Sequence, residues 1–175
     1  MRKSALLLMT TSLLTVGAHV ATAANDEHPK IDYTVDRFAD IEILRYEVPG
    51  FEELSLQQKQ LLYHLSEAAL MGRDIIFDQN CRYNLAIRRA LEAIYREYRG
   101  DRGDAQFKAL ETYLKRVWLA NGIHHHYGED KFEPTGFTAD YFAKCIRSLD
   151  PKHVPVRKGQ TVDAWLKEIT PVIFD

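Results

Sequence analysis

DAQFKALETYLKRVWLANG, Asp104 to Gly122, is the stretch whose reading sets the fold class. Asp104 can offer a side-chain oxygen to the amides of the first turn, as helix-capping residues do. Phe107, Leu110, Leu114, Val117 and Trp118 recur every three or four residues and make one apolar stripe. Lys108, Glu111 and Lys115 take the other side. Asn121-Gly122 closes the run, because glycine tolerates the left-handed conformation that ends helices. Cap, stripe and stop agree, so the chain reads as mainly α with one or few β-strands.

The same grammar repeats outward. Upstream, Ser55 with Gln58 three residues later matches a capping box. Leu56, Leu61, Leu62, Leu65, Ala68 and Ala69 follow at helical spacing. Gly72 breaks or bends this run. Ile75, Ile76 and Phe77 resume it, and Tyr83, Leu85, Ile87, Leu91, Ile94 and Tyr95 carry a second helix to about Tyr98. Downstream, a fourth helix runs from Thr138 to about Leu149. A fifth is capped by Thr161, carries Val162, Trp165, Leu166 and Ile169, and stops before Pro171. The β-branched and aromatic run from Ile41 to Val48 predicts one strand, ended by Pro49-Gly50. A lone strand is not stable, so its partners must lie elsewhere, and residues 25–37 read as a polar lead-in. The apolar ending Val172-Ile173-Phe174-Asp175 reads as an element cut short.

The first 24 residues have a basic start (Arg2, Lys3), an apolar run and a small-residue end, Ala21-Thr22-Ala23-Ala24. This predicts a signal peptide cleaved after Ala23 or Ala24 and a periplasmic or secreted protein. Thr10, Thr11, Ser12, Thr15 and His19 interrupt the run, against a membrane anchor. Residues 25–175 keep 21 basic and 25 acidic side chains. That mild acidity carries no nucleic-acid footprint. About 150 residues suffice for one domain with a real core. The two cysteines, Cys81 and Cys145, read as buried thiols, with their pairing left open.

Chemistry-bearing residues concentrate in two places. One is the loop after the third helix, Asn121-Gly122-Ile123-His124-His125-His126-Tyr127-Gly128-Glu129-Asp130-Lys131-Phe132. Consecutive side chains diverge, so three histidines in a row converge poorly on one metal ion, and no H-E-x-x-H pattern is present. The loop reads as structural or substrate-contacting. The other is the polar cluster Gly72-Arg73-Asp74, Asp78-Gln79-Asn80 and Arg82-Tyr83-Asn84, read as an ion-paired helix junction before a cleft wall. Tyr33, Tyr46, Tyr63 and the other tyrosines read as core or interface filler.

Tyr63-His64-Leu65-Ser66 with Ala68-Ala69, and the stretch from Gly122 to Pro134, resemble the N-terminal region of dipeptidyl peptidase III. That family consists of zinc metallopeptidases that release dipeptides from peptide N-termini. Val35-Asp36-Arg37-Phe38-Ala39-Asp40 and Gly72-Arg73-Asp74-Ile75-Ile76 are similar to its Bacteroidetes branch, and the resemblance spans residues 33–175. Eukaryotic members carry G-N-Y-K-S-F-G-D-T-K-F in the loop. Gly122, Gly128, Lys131 and Phe132 match it and Tyr127 stands at the aromatic, while His124, His125 and His126 depart from it.

The resemblance implies the N-terminal part of a two-lobed α+β metallopeptidase, an incomplete domain over residues 25–175 that supplies a strand and helices to one lobe. It implies a peptide-binding wall with Tyr127 foremost and Asn121 and His126 beside it. It implies zinc as the cofactor of the whole enzyme. The family's H-E-x-x-G-H motif and third ligand are absent from these residues, so neither a catalytic nor a metal-binding residue is assigned here. The expected partners are a peptide substrate and the remainder of the peptidase chain, without nucleic acid and without a membrane after cleavage. A different class of reading is a complete, non-catalytic helical module that binds peptides; a third is metal buffering by the histidine run.

Overall fold

The computed structural model describes residues 31–125 and 127–175. The expected signal peptide at 1–24 lies outside them. Ile31–Tyr33, the described end of a first unit, has no regular structure. Thr34–Asp175 forms the second unit. It is mainly helical, with a two-stranded antiparallel sheet.

The strand has its partner beside it, which corrects the expectation. Thr34–Phe38 (β1) and Ile41–Leu44 (β2) pair antiparallel, with Phe38 opposite Ile41 and Arg37 opposite Glu42. β1 falls in the segment read as polar lead-in, and β2 ends four residues before Val48. The alternation Thr34, Asp36, Phe38 is too polar to signal a strand. Its inward positions meet cations instead of a core. Lys115 donates to Asp36 at 2.7 Å and stands 5.2 Å over the Phe38 ring, and Arg116 pairs with Asp40. The hydrogen bond from Lys115 holds the Asp36 carboxyl below its ordinary range. Such exposed ion pairs are screened by water and stabilise only weakly.

The helices are α1 (Leu56–Met71), α2 (Arg73–Asn80), α3 (Asn84–Glu97), α4 (Ala105–Ala120), α5 (Ala139–Arg147) and α6 (Val162–Phe174). The capping box of α1 is present in both directions: Gln58 N donates to Ser55 Oγ, and Ser55 N donates to Gln58 Oε1. Asp104 and Thr161 cap α4 and α6 as expected, and Thr138, read as the first residue of the fourth helix, is the cap of α5. The first run breaks at Gly72 into α1 and α2, and the second helix read to about Tyr98 is α3. Cys81 is extended (φ −163°, ψ 132°) and separates α2 from α3 without glycine or proline, leaving no sequence signal.

α6 also runs through Pro171 to Phe174. A proline this close to the end forfeits one hydrogen bond, and burial beyond it offsets the loss. Ile173 is fully buried, and the Phe174 ring lies 5.5 Å from that of Phe137 and 6.2 Å from that of Phe142. Phe107, Leu110, Leu114 and Val117 of α4 are buried as read, packed with Ile87, Leu91 and Ile94 of α3, Phe142 and Ile146 of α5, and Trp165 and Ile169 of α6. Cys145 is buried in this core and Cys81 is half-buried, and both are free thiols.

Between Thr34 and Ile76, by contrast, not one residue is buried. Tyr33, Tyr46 and Tyr63 are exposed, not core filler, and the apolar positions of α1 all face solvent. Among the described residues no helix is long and apolar enough to cross a membrane.

The polar cluster holds α2 on α3. Asp74 takes Arg88 at 2.8 Å and Arg89 at 3.0 Å, and Arg88 lies 4.6 Å over the Phe77 ring. The hydrogen bonds from Arg88 and then Arg89 lower the Asp74 pKa. A carboxyl lowered in the folded state stabilises above its unfolded pKa, and that contribution disappears as pH falls through the folded one. Asp74→Asn is therefore expected to lower the urea midpoint at pH 7, with the difference from wild type shrinking as pH falls below the ordinary carboxylate range. A difference independent of pH would contradict the ionic account. Ile173→Ala should cost about 2–4 kcal/mol in the same measurement; a loss under about 1 kcal/mol would contradict the packing of α6 beyond Pro171.

Candidate functional site

The site forms where the break between α2 and α3 meets the exit from α4. Asn84 opens α3, its amide donating to the Cys81 carbonyl at 2.9 Å. Its side chain is fully buried, and Oδ1 accepts from the Ile123 amide at 3.2 Å. At the end of α4 it is Asn121, not Gly122, that takes the left-handed conformation (φ 55°, ψ 35°). Asparagine tolerates that region better than most residues. Gly122 is needed for room: a Cβ there would stand 2.2 Å from Asn84 Nδ2. Nδ2 has no hydrogen-bond partner among the described residues, a cost of about 1–3 kcal/mol that the packing around it must outweigh.

Beyond Gly122 the chain doubles back as a short hairpin. Phe132 N donates to the Ile123 carbonyl at 2.8 Å, and His124 and Lys131 form an antiparallel bridge. His125 N donates to the Asp130 carbonyl at 2.8 Å, and Gly128 N to the His125 carbonyl at 3.2 Å. The base is anchored on both sides. Ile123 is buried in the core, and the Arg116 guanidinium lies 5.6 Å over the half-buried Phe132 ring. What reads in the sequence as a glycine-flanked loop is thus a tied hairpin.

Tyr127 stands at its tip, 89% exposed. Its amide donates to His125 Nδ1 at 3.3 Å, and the two rings are 6.2 Å apart. Asn121 lines a half-open pocket of about 390 Å³ together with Asn80, Asn84, His124, His125 and Glu129. The predicted contacts therefore separate: Asn121 belongs to the pocket, Tyr127 projects from the neighbouring tip, and His126 lies outside the described residues. His124 is half-buried and His125 exposed. Among the described residues no three His, Cys, Asp or Glu side chains converge on a point where a metal could sit.

No protein-family profile matches this sequence, and no curated protein matches it. The role of the site has to be read from its groups. Three carboxamides supply both donors and acceptors, two imidazoles add one of each when neutral, and Glu129 is an acceptor. This is a set for reading polar, uncharged or cationic groups by hydrogen bonding, and it holds no fixed positive charge for an anion.

Asn80, Asn84 and Glu129 lie in the two polar stretches noted in the sequence, but were not assigned as site residues there. Asn84 sits inside the polar triplet Arg82-Tyr83-Asn84, and only knowledge of the helix break at Cys81 would distinguish it from an exposed junction residue. A double-mutant cycle checks the clamp it makes. Gly122→Ala alone is expected to cost about 2 kcal/mol or more of stability, from the collision with Asn84. In an Asn84→Ala background the further cost of Gly122→Ala should fall by at least half, measured by urea unfolding. Strict additivity would contradict direct contact between the two positions.

Proposed function

We propose that this chain is an N-terminal portion of an exported, zinc-dependent dipeptidyl peptidase, and that it supplies one wall of the peptide-binding cleft. The observation that carries the reading is the tied hairpin at 123–132. It holds an aromatic ring in solvent on a base fixed by backbone hydrogen bonds, beside a pocket of carboxamides. An extended peptide offers alternating N–H and C=O groups, and Asn80, Asn121 and His124 can answer both. Tyr127 adds a flat apolar surface of low conformational cost.

The β1–β2 hairpin supports the larger architecture. A two-stranded sheet with open edges is marginal by itself, and further strands from the remainder of a two-lobed peptidase would complete it. In that enzyme the zinc ligands and the general base belong to the remainder. Residues 33–175 would bind and orient the peptide along the cleft, and the zinc held by the remainder would supply the hydrolytic chemistry.

A second reading, a non-catalytic peptide-binding module, draws on the closed core formed by α3 to α6, which needs no other chain to bury Ile87, Leu114 or Ile146. Both readings place the peptide at the same wall. They divide on chemistry when the remainder of the enzyme is supplied.

Two measurements test the proposal. The purified chain with added zinc should release no arylamine from a dipeptidyl-arylamide; hydrolysis abolished by a chelator would contradict it. Binding of an unlabelled tetrapeptide, followed by titration calorimetry, should weaken about 5–20-fold in Tyr127→Ala, the loss of one aromatic contact. Unchanged affinity would remove Tyr127 from the wall.

A further inference from the structure

The most anomalous surface is α1. A four-turn helix of about 24 Å has no buried residue, and Leu61, Leu62 and Leu65 are 57%, 46% and 57% exposed. Monomeric proteins rarely leave such a patch in water. Its polarity is not random. At 100° per residue, Gln58, Leu61, Leu62, Leu65, Ala68, Ala69 and Gly72 share one face. That face carries no charge over its full length. Lys59 lies off the seam, roughly 120° from its centre, where it pairs with Glu52 at 3.3 Å and stands 5.2 Å over Phe51. Glu67 lies off the seam as well. The exposed Leu56, Tyr63 and Leu70 form a second apolar row, and it is the row that Lys59 and Glu67 flank.

The seam is graded in size. Its N-terminal half is large, with Leu61, Leu62 and Leu65. Its C-terminal half is small, with Ala68, Ala69 and Gly72. An antiparallel copy centred on Leu65 sets Leu61 opposite Ala69, Leu62 opposite Ala68 and Gln58 opposite Gly72. On either side of the central Leu65–Leu65 pair large meets small, and the small residues let two helices approach within the 8–10 Å of ordinary helix packing. A twofold axis requires such self-complementarity. Two seams with their rims would bury on the order of 1,000 Å², the lower limit for a specific interface.

We propose that α1 is the interface of a symmetric dimer of this chain, formed by antiparallel packing of its uncharged seam around Leu65. The inference is independent of the peptidase reading, since it uses neither the hairpin at 123–132 nor the sheet.

Sedimentation equilibrium of the purified protein should give a monomer–dimer equilibrium with a micromolar Kd, as suits an interface of this size. Leu65→Glu, at an exposed position where the fold does not depend on the side chain, should weaken it at least about tenfold with unchanged helical circular dichroism. Leu65→Cys should form a 65–65 disulfide between copies under mild oxidation, identified by peptide mass spectrometry, and Leu70→Cys should not. A monomer at 100-fold above that Kd range, open-ended association insensitive to Leu65→Glu, or equal cross-linking at 65 and 70 would each overturn the proposal. The first of these outcomes would leave the seam to another part of a longer chain.

Discussion

One side-chain hydrogen bond, from the Ile123 amide to Asn84 Oδ1, joins two places where helices stop. α2 breaks at Cys81, so that α3 begins with a buried carboxamide. α4 ends at Asn121 and Gly122, so that the following amide points back at it. α3 starts without a side-chain cap, whereas α4 closes locally, with Asn121 N and Gly122 N both donating to the Val117 carbonyl. Asn84 has no exposed surface, and a buried carboxamide is stable only where its partners are fixed. The glycine at 122 gives it space, and the hairpin from Ile123 to Phe132 grows from that fixed point.

The distribution of burial divides the chain into parts with different obligations. From Phe77 onward, α3 to α6 close a core in which Ile87, Leu114, Phe142 and Ile169 lose essentially all contact with water. Before Phe77, the hairpin and α1 sit on the surface, the former held by Lys115 and Arg116. A groove of about 540 Å³, lined by Phe38, Ile43, Trp118 and others, remains between the sheet and the helices. Charge without close packing is a weak attachment. Residues 34–76 carry apolar rows and no buried side chain, which leaves this part of the described chain open to further contact.

The elements that were legible from sequence are those whose signals are local. Ser55 with Gln58, Asp104 and Thr161 announce helix starts by capping chemistry, and all three do so in the structure. The α4 stripe was legible because periodicity and burial coincide there. What was hidden depends on distant partners. β1 pairs with β2, and its inward Asp36 meets Lys115, 79 positions away, a contact that no pattern of period two records. The break at Cys81 carries neither glycine nor proline. Pro171 reads locally as a stop, and the burial of Ile173 overrides it. In the site, Tyr127 and Asn121 were reached through family resemblance, and Asn84 was missed because a polar triplet on a helix looks the same whether its asparagine faces water or a loop amide.

The hairpin then connects fold to function. Rigidity at its base and exposure at its tip are what a binding wall requires: the loss of freedom on contact is small, because the backbone is already tied. Whether a peptide uses that wall can be read directly from amide chemical shifts of the isotope-labelled protein on titration with an unlabelled tetrapeptide. The account predicts that the largest changes fall at Asn121, His124, Tyr127 and Gly128, with none of comparable size on α5 or α6. Shifts confined to α5 and α6, or no shifts at millimolar peptide, would contradict it.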